Sequence, residues 1–219
     1  MSRSVGEDVR RFREDLPVTY VPHPIYDTYG TPLPREEALL RLKLPTEPRY
    51  LLFFGFIRKY KGLDLLYRAL ADPRVRALDV RLLVAGEYYG DAEQYEALAA
   101  ELGITERLNL FTSYIPQEEV AAYFGAADLV VQPYKSASQS GISQMAYHFE
   151  KPMLVTAVGG LPEIVPHGKA GYVVDVDPTA IADAIVDFFE RDRLVELSEG
   201  VRAEKHRFSW ENLVKALGG

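Results

Sequence analysis

Residues 50–72 read YLLFFGFIRKYKGLDLLYRALAD. The first seven, YLLFFGF, are an almost unbroken apolar run of strand length. From Gly62 onward, GLDLLYRALAD has the apolar spacing of a helix. Between the two lies a short basic stretch, GFIRKYKG. An apolar strand followed directly by a helix is the repeating unit of a parallel sheet covered on both faces. The rest of the chain repeats the unit. VRLLVAGE (80–87) reads as a strand, and DAEQYEALAAELG (91–103) as a helix closed by Gly103. LNLFTS (108–113) is a strand, and PQEEVAAYFGAAD (116–128) a helix with Pro116 near its start. LVVQPY (129–134) precedes a helix at 139–150. PMLVTAV (152–158) and GYVVDV (171–176) are strands, and PTAIADAIVDFFE (178–190) is a helix. One or two helices end the chain. The pattern predicts a doubly wound, Rossmann-like α/β domain with a parallel sheet over residues 46–191, followed by carboxyl-terminal helices over 192–219. Residues 1–45 differ. An isolated helix leads into VTYVPHPIYDTYGTP (18–32), rich in Pro and Tyr, which reads as a connector.

Composition narrows the partners. The 219 residues carry a formal net charge of −7, which argues against a nucleic-acid or polybasic membrane surface for the chain as a whole. Cysteine is absent, so disulfides, thiol nucleophiles and Cys-based metal sites are excluded. The four histidines have no ligand spacing, so no metal is expected. No apolar run reaches the roughly 18 residues of a transmembrane segment. MSRSVGEDVRRFRED is too charged for a signal peptide. A cytoplasmic protein is expected, with a peripheral place at a membrane left open.

In open α/β sheets ligands sit beyond the carboxyl ends of the strands. The unusual residues all fall there. Gly55, Arg58, Lys59, Lys61 and Gly62 follow the first strand; Gly86, Glu87 and Tyr88 the second; Tyr114 and Ile115 the third. Tyr134 to Gly141 follow the fourth, and Gly159 and Gly160 the fifth. Three cations just before a helix start are disfavoured by the helix dipole, which points to a bound anion or to a solvated turn. SQSG (138–141) reads either as an ordinary cap, with Ser138 or Ser140 at the N-cap, or as a phosphate site at a helix start. Beside the Arg58/Lys61 cluster, a diphosphate held between two helix starts is the better reading. Gly55, Gly86, Gly159 and Gly160 permit close backbone approach to a ligand or equally a tight turn. Asp175-Val176-Asp177 looks like a metal-binding DxD, but Asp177-Pro178-Thr179 has the order of a helix start with Asp as N-cap. His148, on a helix that packs against the sheet, reads as structural. His23, in VPHPIYD, is expected to face a cleft from the connector.

GFIRKYKGLDLL, VAGEYY, TSYIPQEEVAAYFGAADLVVQPY, SASQSGISQMAYHFEKPMLVTAVGGLPEIV and HGKAGYVVDVDP follow one another with a spacing that resembles the carboxyl-terminal domain of family-4 retaining glycosyltransferases (glycosyl transferases group 1, GT-B fold). The resemblance implies a two-domain enzyme that transfers a sugar from a nucleotide-diphosphate sugar to an acceptor with retained anomeric configuration, without cofactor or required metal. This domain would hold the donor. Carried over residue by residue, Lys61 holds the donor diphosphate with help from Arg58, although the family's usual arginine after the glycine is Phe56 here. Ser140, Gly141 and Ile142 offer N–H groups to diphosphate and sugar. Tyr114 and Ile115 meet the nucleobase, and Gln144 is a candidate ribose contact. Many members carry paired glutamates, E-x7-E; the equivalent positions fall at Met145 and near Ala137 or Ser138, and none is acidic. The family's amino-terminal domain would need about 150–200 further residues. The expectation is therefore a donor-binding domain, incomplete for catalysis alone, whose acceptor domain comes from a longer protein or a separate chain. The alternatives are a non-catalytic nucleotide-sugar-binding module and an interaction module on the same scaffold.

Overall fold

Each apolar run becomes a strand, and three of the strands stop where Gly or Pro takes over. The computed structural model describes residues 3–13, 15, 18–90 and 92–218. In chain order come α1 (Arg3–Phe12), α2 (Arg35–Arg41), β1 (Arg49–Phe54), α3 (Leu63–Leu70), α4 (Pro73–Arg76) and β2 (Val80–Ala85). Next are α5 (Ala92–Glu101), β3 (Leu108–Phe111), α6 (Val120–Ala126), β4 (Leu129–Gln132), α7 (Gly141–His148) and β5 (Met153–Thr156). The chain closes with α8 (Leu161–Ile164), β6 (Gly171–Val174), α9 (Pro178–Glu190), α10 (Leu194–Lys205) and α11 (Trp210–Leu217). β1 ends before Gly55 (φ +92°) and β2 before Gly86 (φ +139°), conformations that L side chains rarely adopt. β4 ends before Pro133, which lacks the N–H a ladder needs. The first residue of the helix expected at 91–103, Asp91, lies outside the described residues.

The strands form one sheet in the order β3-β2-β1-β4-β5-β6, and every neighbouring pair is parallel. The chain winds outward from β1 to β3, returns to β4, then winds out the other way. Its switch point lies between β1 and β4, where this topology opens a crevice. Alternate residues of each strand feed two cores. Tyr50, Leu52, Val130 and Val155 pack with Phe124, Tyr147 and Phe149 on one face. Leu51, Phe53, Val84, Val131 and Leu154 pack with Leu66, Ile181 and Phe188 on the other. Strands buried on both faces need continuous apolar runs, as these have.

The sequence reading leaves residues 35–41 inside the connector. The structure makes them α2, with Ala38 and Leu39 fully buried against α6. Arg35 fixes the helix start, donating to the carbonyls of Thr46 and Pro48 at 3.0 and 2.6 Å. The connector before it is tied down as well. The Ile25 N–H donates to the Phe208 carbonyl at 3.0 Å, and His148 Nε2–H to the Gly30 carbonyl at 2.7 Å. The second bond gives His148 its structural role. Among the described residues, no helix is long and apolar enough to cross a membrane.

The start of α9 decides the DxD question. The Asp177 carboxylate accepts from the N–H groups of Thr179 and Ala180 at 2.6 and 3.0 Å, with Pro178 at the first helical position. These bonds, Ala180 foremost, hold its carboxyl below the usual range. A lowered folded value stabilises the fold above the ordinary carboxylate range, and that contribution is lost as pH falls through it. Asp177→Ala is expected to lower Tm by about 3 °C at neutral pH, with Asp177→Asn recovering most of the loss. Thermal denaturation checks this, and the remaining advantage of Asp over Asn should vanish in acid.

Candidate functional site

The site is built where β1 and β4 separate. After β1 the backbone passes Gly55 and enters a tight turn at Lys59–Lys61. Gly62 reverses it with φ +70° and starts α3. A Cβ at Gly62 would fall inside the Pro133 carbonyl, so the loops after β1 and β4 are in direct backbone contact. The reversal drives the Lys61 side chain inward: Lys61 is 9% exposed, while Arg58, Lys59 and Tyr60 stay outside.

Lys61 Nζ lies against Gly55, where an added Cβ would be 3.1 Å from it and 3.3 Å from Ile142 Cδ1. The Tyr134 ring centroid is 5.8 Å from the same nitrogen. Among the described residues Lys61 has no ion pair. Burial, with the Arg58 guanidinium adding to it, pushes its ammonium down to about 8. A buried cation without a counter-ion is costly, and an anion is its natural complement.

The start of α7 faces the same place through Ile142. Ser140 occupies the N-cap with extended backbone, yet its side chain makes no capping bond. Its Oγ lies 3.4 Å from the Tyr134 hydroxyl instead. The first N–H groups of α7 therefore carry no side-chain cap, the condition for receiving an anion. Gly141 is pressed by the connector, and an added Cβ would stand 2.9 Å from Tyr26 Cε2.

Gly55 also borders a cavity of about 270 Å³ lined by Tyr29, Phe56, Gly86, Tyr114 and Ile115. So Gly55, Lys61 and Ile142 meet at one point, and Gly86, Tyr114 and Ile115 meet beside it. Arg58 turns away from Lys61 and lays its guanidinium 4.3 Å over the Tyr89 ring. Gln144 is not brought to Tyr114 and Ile115. It is 2% exposed and lines a separate, one-water-sized cavity with His23, Gln139, Gly160 and Glu163.

The glycine pair approaches the protein's own backbone. Gly159 has φ +51°, and a Cβ there would overlap the Ala137 carbonyl. The Gly160 N–H donates to the Ser138 carbonyl at 3.2 Å. Gly86 likewise closes on the Gly55 carbonyl. These glycines shape the loops around the site by packing backbone on backbone. Among the described residues, no three metal-ligating side chains converge. Sequence reasoning placed Tyr134 at a strand end without giving it a role and did not single out Tyr26 or Tyr29; the aromatic richness of 18–32 was the available signal.

The profile of the family described as glycosyl transferases group 1 matches residues 48–191. The chain belongs to that family. This group 1 chain is similar to the D-inositol 3-phosphate glycosyltransferase of Corynebacterium urealyticum, with 32% identity over 198 residues that cover 87% of this chain and 46% of the relative. It spans about half the length of the curated relatives it matches. Sucrose-phosphate synthase from Thermosynechococcus elongatus superposes with a TM-score of 0.85 at 23% identity, covering 100% of this chain and 55% of that one. Anabaena HepE, solved in complex with UDP, gives 0.71 at 20% identity, covering 89% and 56%. The fold is that of one half of a GT-B glycosyltransferase. Met145 is 4% exposed in the core, and the Ala137 backbone is in contact with Gly159.

Proposed function

We propose that this chain holds the donor in glycosyl transfer, binding a nucleotide-diphosphate sugar and stabilising its diphosphate as the sugar leaves to an acceptor with retained configuration. The observation that carries the reading is Lys61, a buried cation with no counter-ion among the described residues, beside a start of α7 whose N-cap Ser140 makes no side-chain capping bond. Breaking the sugar–phosphate bond leaves charge on the diphosphate. Donors fixed where that charge develops lower the barrier. Lys61 and the N–H groups at Gly141 and Ile142 fill this role, and Arg58 adds positive potential from the rim. The cavity at Tyr114 and Ile115 takes the base. That the Anabaena neighbour was solved with UDP supports a nucleotide as ligand. The reading gives the leaving charge to protein groups alone and places the acceptor site in a further domain or a separate chain.

Titration calorimetry with UDP, GDP, ADP and their glucose conjugates tests it. One base is expected to bind saturably, equally well in EDTA, and at least tenfold more weakly to Lys61→Ala. Absence of binding across the panel, or an unchanged affinity in Lys61→Ala, defeats the reading. Binding without turnover beside an acceptor domain would favour a nucleotide-sugar-binding module, the reading that the non-acidic Ala137 and Met145 favour.

A further inference from the structure

Among the described residues no carboxylate pairs with the Lys61 ammonium. The aromatic ring within cation–π range of it is Tyr134. This residue is 3% exposed, and its ring lies 5.8 Å from Lys61 Nζ. Its hydroxyl lies 3.4 Å from Ser140 Oγ at the start of α7. The ring is itself held. Tyr60 packs edge-on against it at 6.1 Å and 78°. The Tyr134 carbonyl accepts from Thr156 Oγ1 at 2.5 Å, and the Lys135 N–H donates to the Tyr60 carbonyl at 2.7 Å. One side chain therefore lies between both halves of the anion site, the cation after β1 and the helix start after β4.

We propose that Tyr134 is the positioning residue of this site: its ring face steadies the Lys61 ammonium beside the start of α7 without bringing a carboxylate into the site. The inference rests on the diphosphate reading above. The physics favours a ring over an acid. A carboxylate beside Lys61 would repel the incoming diphosphate and compete for the ammonium. An aromatic face attracts a cation through its quadrupole without carrying net charge, most strongly when both are desolvated. Lys61 thus keeps its full charge for the ligand. Burial pushes the Tyr134 phenol well above its usual value, so the ring stays neutral across the working range.

The test uses the full chain and UDP as probe, with Lys61→Ala as reference. Tyr134→Phe keeps the face and is expected to stay within about threefold of the parent affinity. Tyr134→Leu removes the face and should weaken binding about tenfold. A ring-fluorinated phenylalanine at position 134 keeps the shape, cancels the face's negative potential, and should weaken binding as Leu does; it serves even if Tyr134→Leu does not fold. A pH series adds a readout that packing alone would not move. Lys61 faces Arg58 from its own turn and Tyr134 from the loop after β4. Parent affinity should fall as pH rises through about 8, and the fall should begin at lower pH in Tyr134→Leu and the fluorinated variant. If Lys61→Ala weakens binding while Tyr134→Leu and the fluorinated variant do not, this inference fails and the diphosphate site stands. Equal losses in Tyr134→Phe and Tyr134→Leu also overturn it, because the hydroxyl alone would then matter. Lys61→Ala without effect overturns both readings.

Discussion

Lys61→Met is expected to stabilise the unliganded chain while removing most of its diphosphate affinity. Methionine fills nearly the same space as the lysine stem and needs no water. At neutral pH the buried ammonium is charged, and its value near 8, against the ordinary 10.5, corresponds to about 3 kcal/mol of destabilisation. The sign follows from the proton count. Between about 8 and 10.5 the unfolded chain holds the proton that the folded chain has lost, so raising pH stabilises the parent. The advantage of Lys61→Met should be full below about 8 and vanish above about 10.5. For a domain of this size it would appear as a Tm about 10 °C higher at pH 7. Affinity should move the other way. Removing one partner of a desolvated charge pair costs about 2–5 kcal/mol, or at least about 30-fold in Kd. Denaturant unfolding across pH, with calorimetry at pH 7, reads both effects. A variant less stable than the parent would mean that Lys61 is paired in solution and is not waiting for an anion. A residue that costs stability in the free protein and serves the bound one is what an anion site looks like from the side of the fold.

Much of this was legible in the chain because the signals are local. The apolar runs gave all six strands in place, and Asp177-Pro178 marked the start of α9 to the residue. The strand-end rule brought Gly55, Lys61, Gly86, Tyr114 and Ile115 to one edge, and the structure joins them at Gly55. What escaped depends on encounters between distant residues. α2 was overlooked inside a Pro- and Tyr-rich stretch, although Pro34 at its start and Glu36 and Glu37 in its first turn were visible helix signals. Its burial against α6 was not visible, because that requires the packed fold. Gln144 lies one turn beyond Gly141, and spacing alone could not say that it faces Gly160 and Glu163. The conformation of Gly159 could be guessed from its identity; that its neighbour is the Ala137 carbonyl could not. Tyr134 closes an apolar run and so reads as the end of a strand. Its meaning comes from meeting residues 61 and 140, which no local pattern encodes.

Gly62→Ala should be strongly damaging, because two costs coincide there. Gly62 has φ +70°, which an L side chain adopts at about 1–2 kcal/mol. The added Cβ would also overlap the Pro133 carbonyl oxygen and press on its carbon at 2.9 Å. These are backbone atoms, so no rotamer change relieves the collision. The loops after β1 and β4 must separate instead. Gly168→Ala separates the two costs. Gly168 has φ +74° with nothing within 4 Å of an added Cβ, so only the conformational cost of about 1 kcal/mol should appear. Gly62→Ala is expected to cost about 3 kcal/mol or more, a fall in Tm of about 10 °C. It should also weaken UDP binding, because separating the two loops moves Lys61 away from Tyr134 and the start of α7. Thermal unfolding and calorimetry on the pair decide the matter. Equal costs at the two glycines would show that the loops after β1 and β4 do not touch, and the site would lose the contact that sets the spacing between its cation and its helix start. A large stability loss with unchanged affinity would say that the contact serves the fold alone. The expected result, with stability and affinity falling together only at Gly62, follows from the topology. The switch point is where the sheet must bring two sequence-distant loops together, and the fold and the site share the contact that joins them.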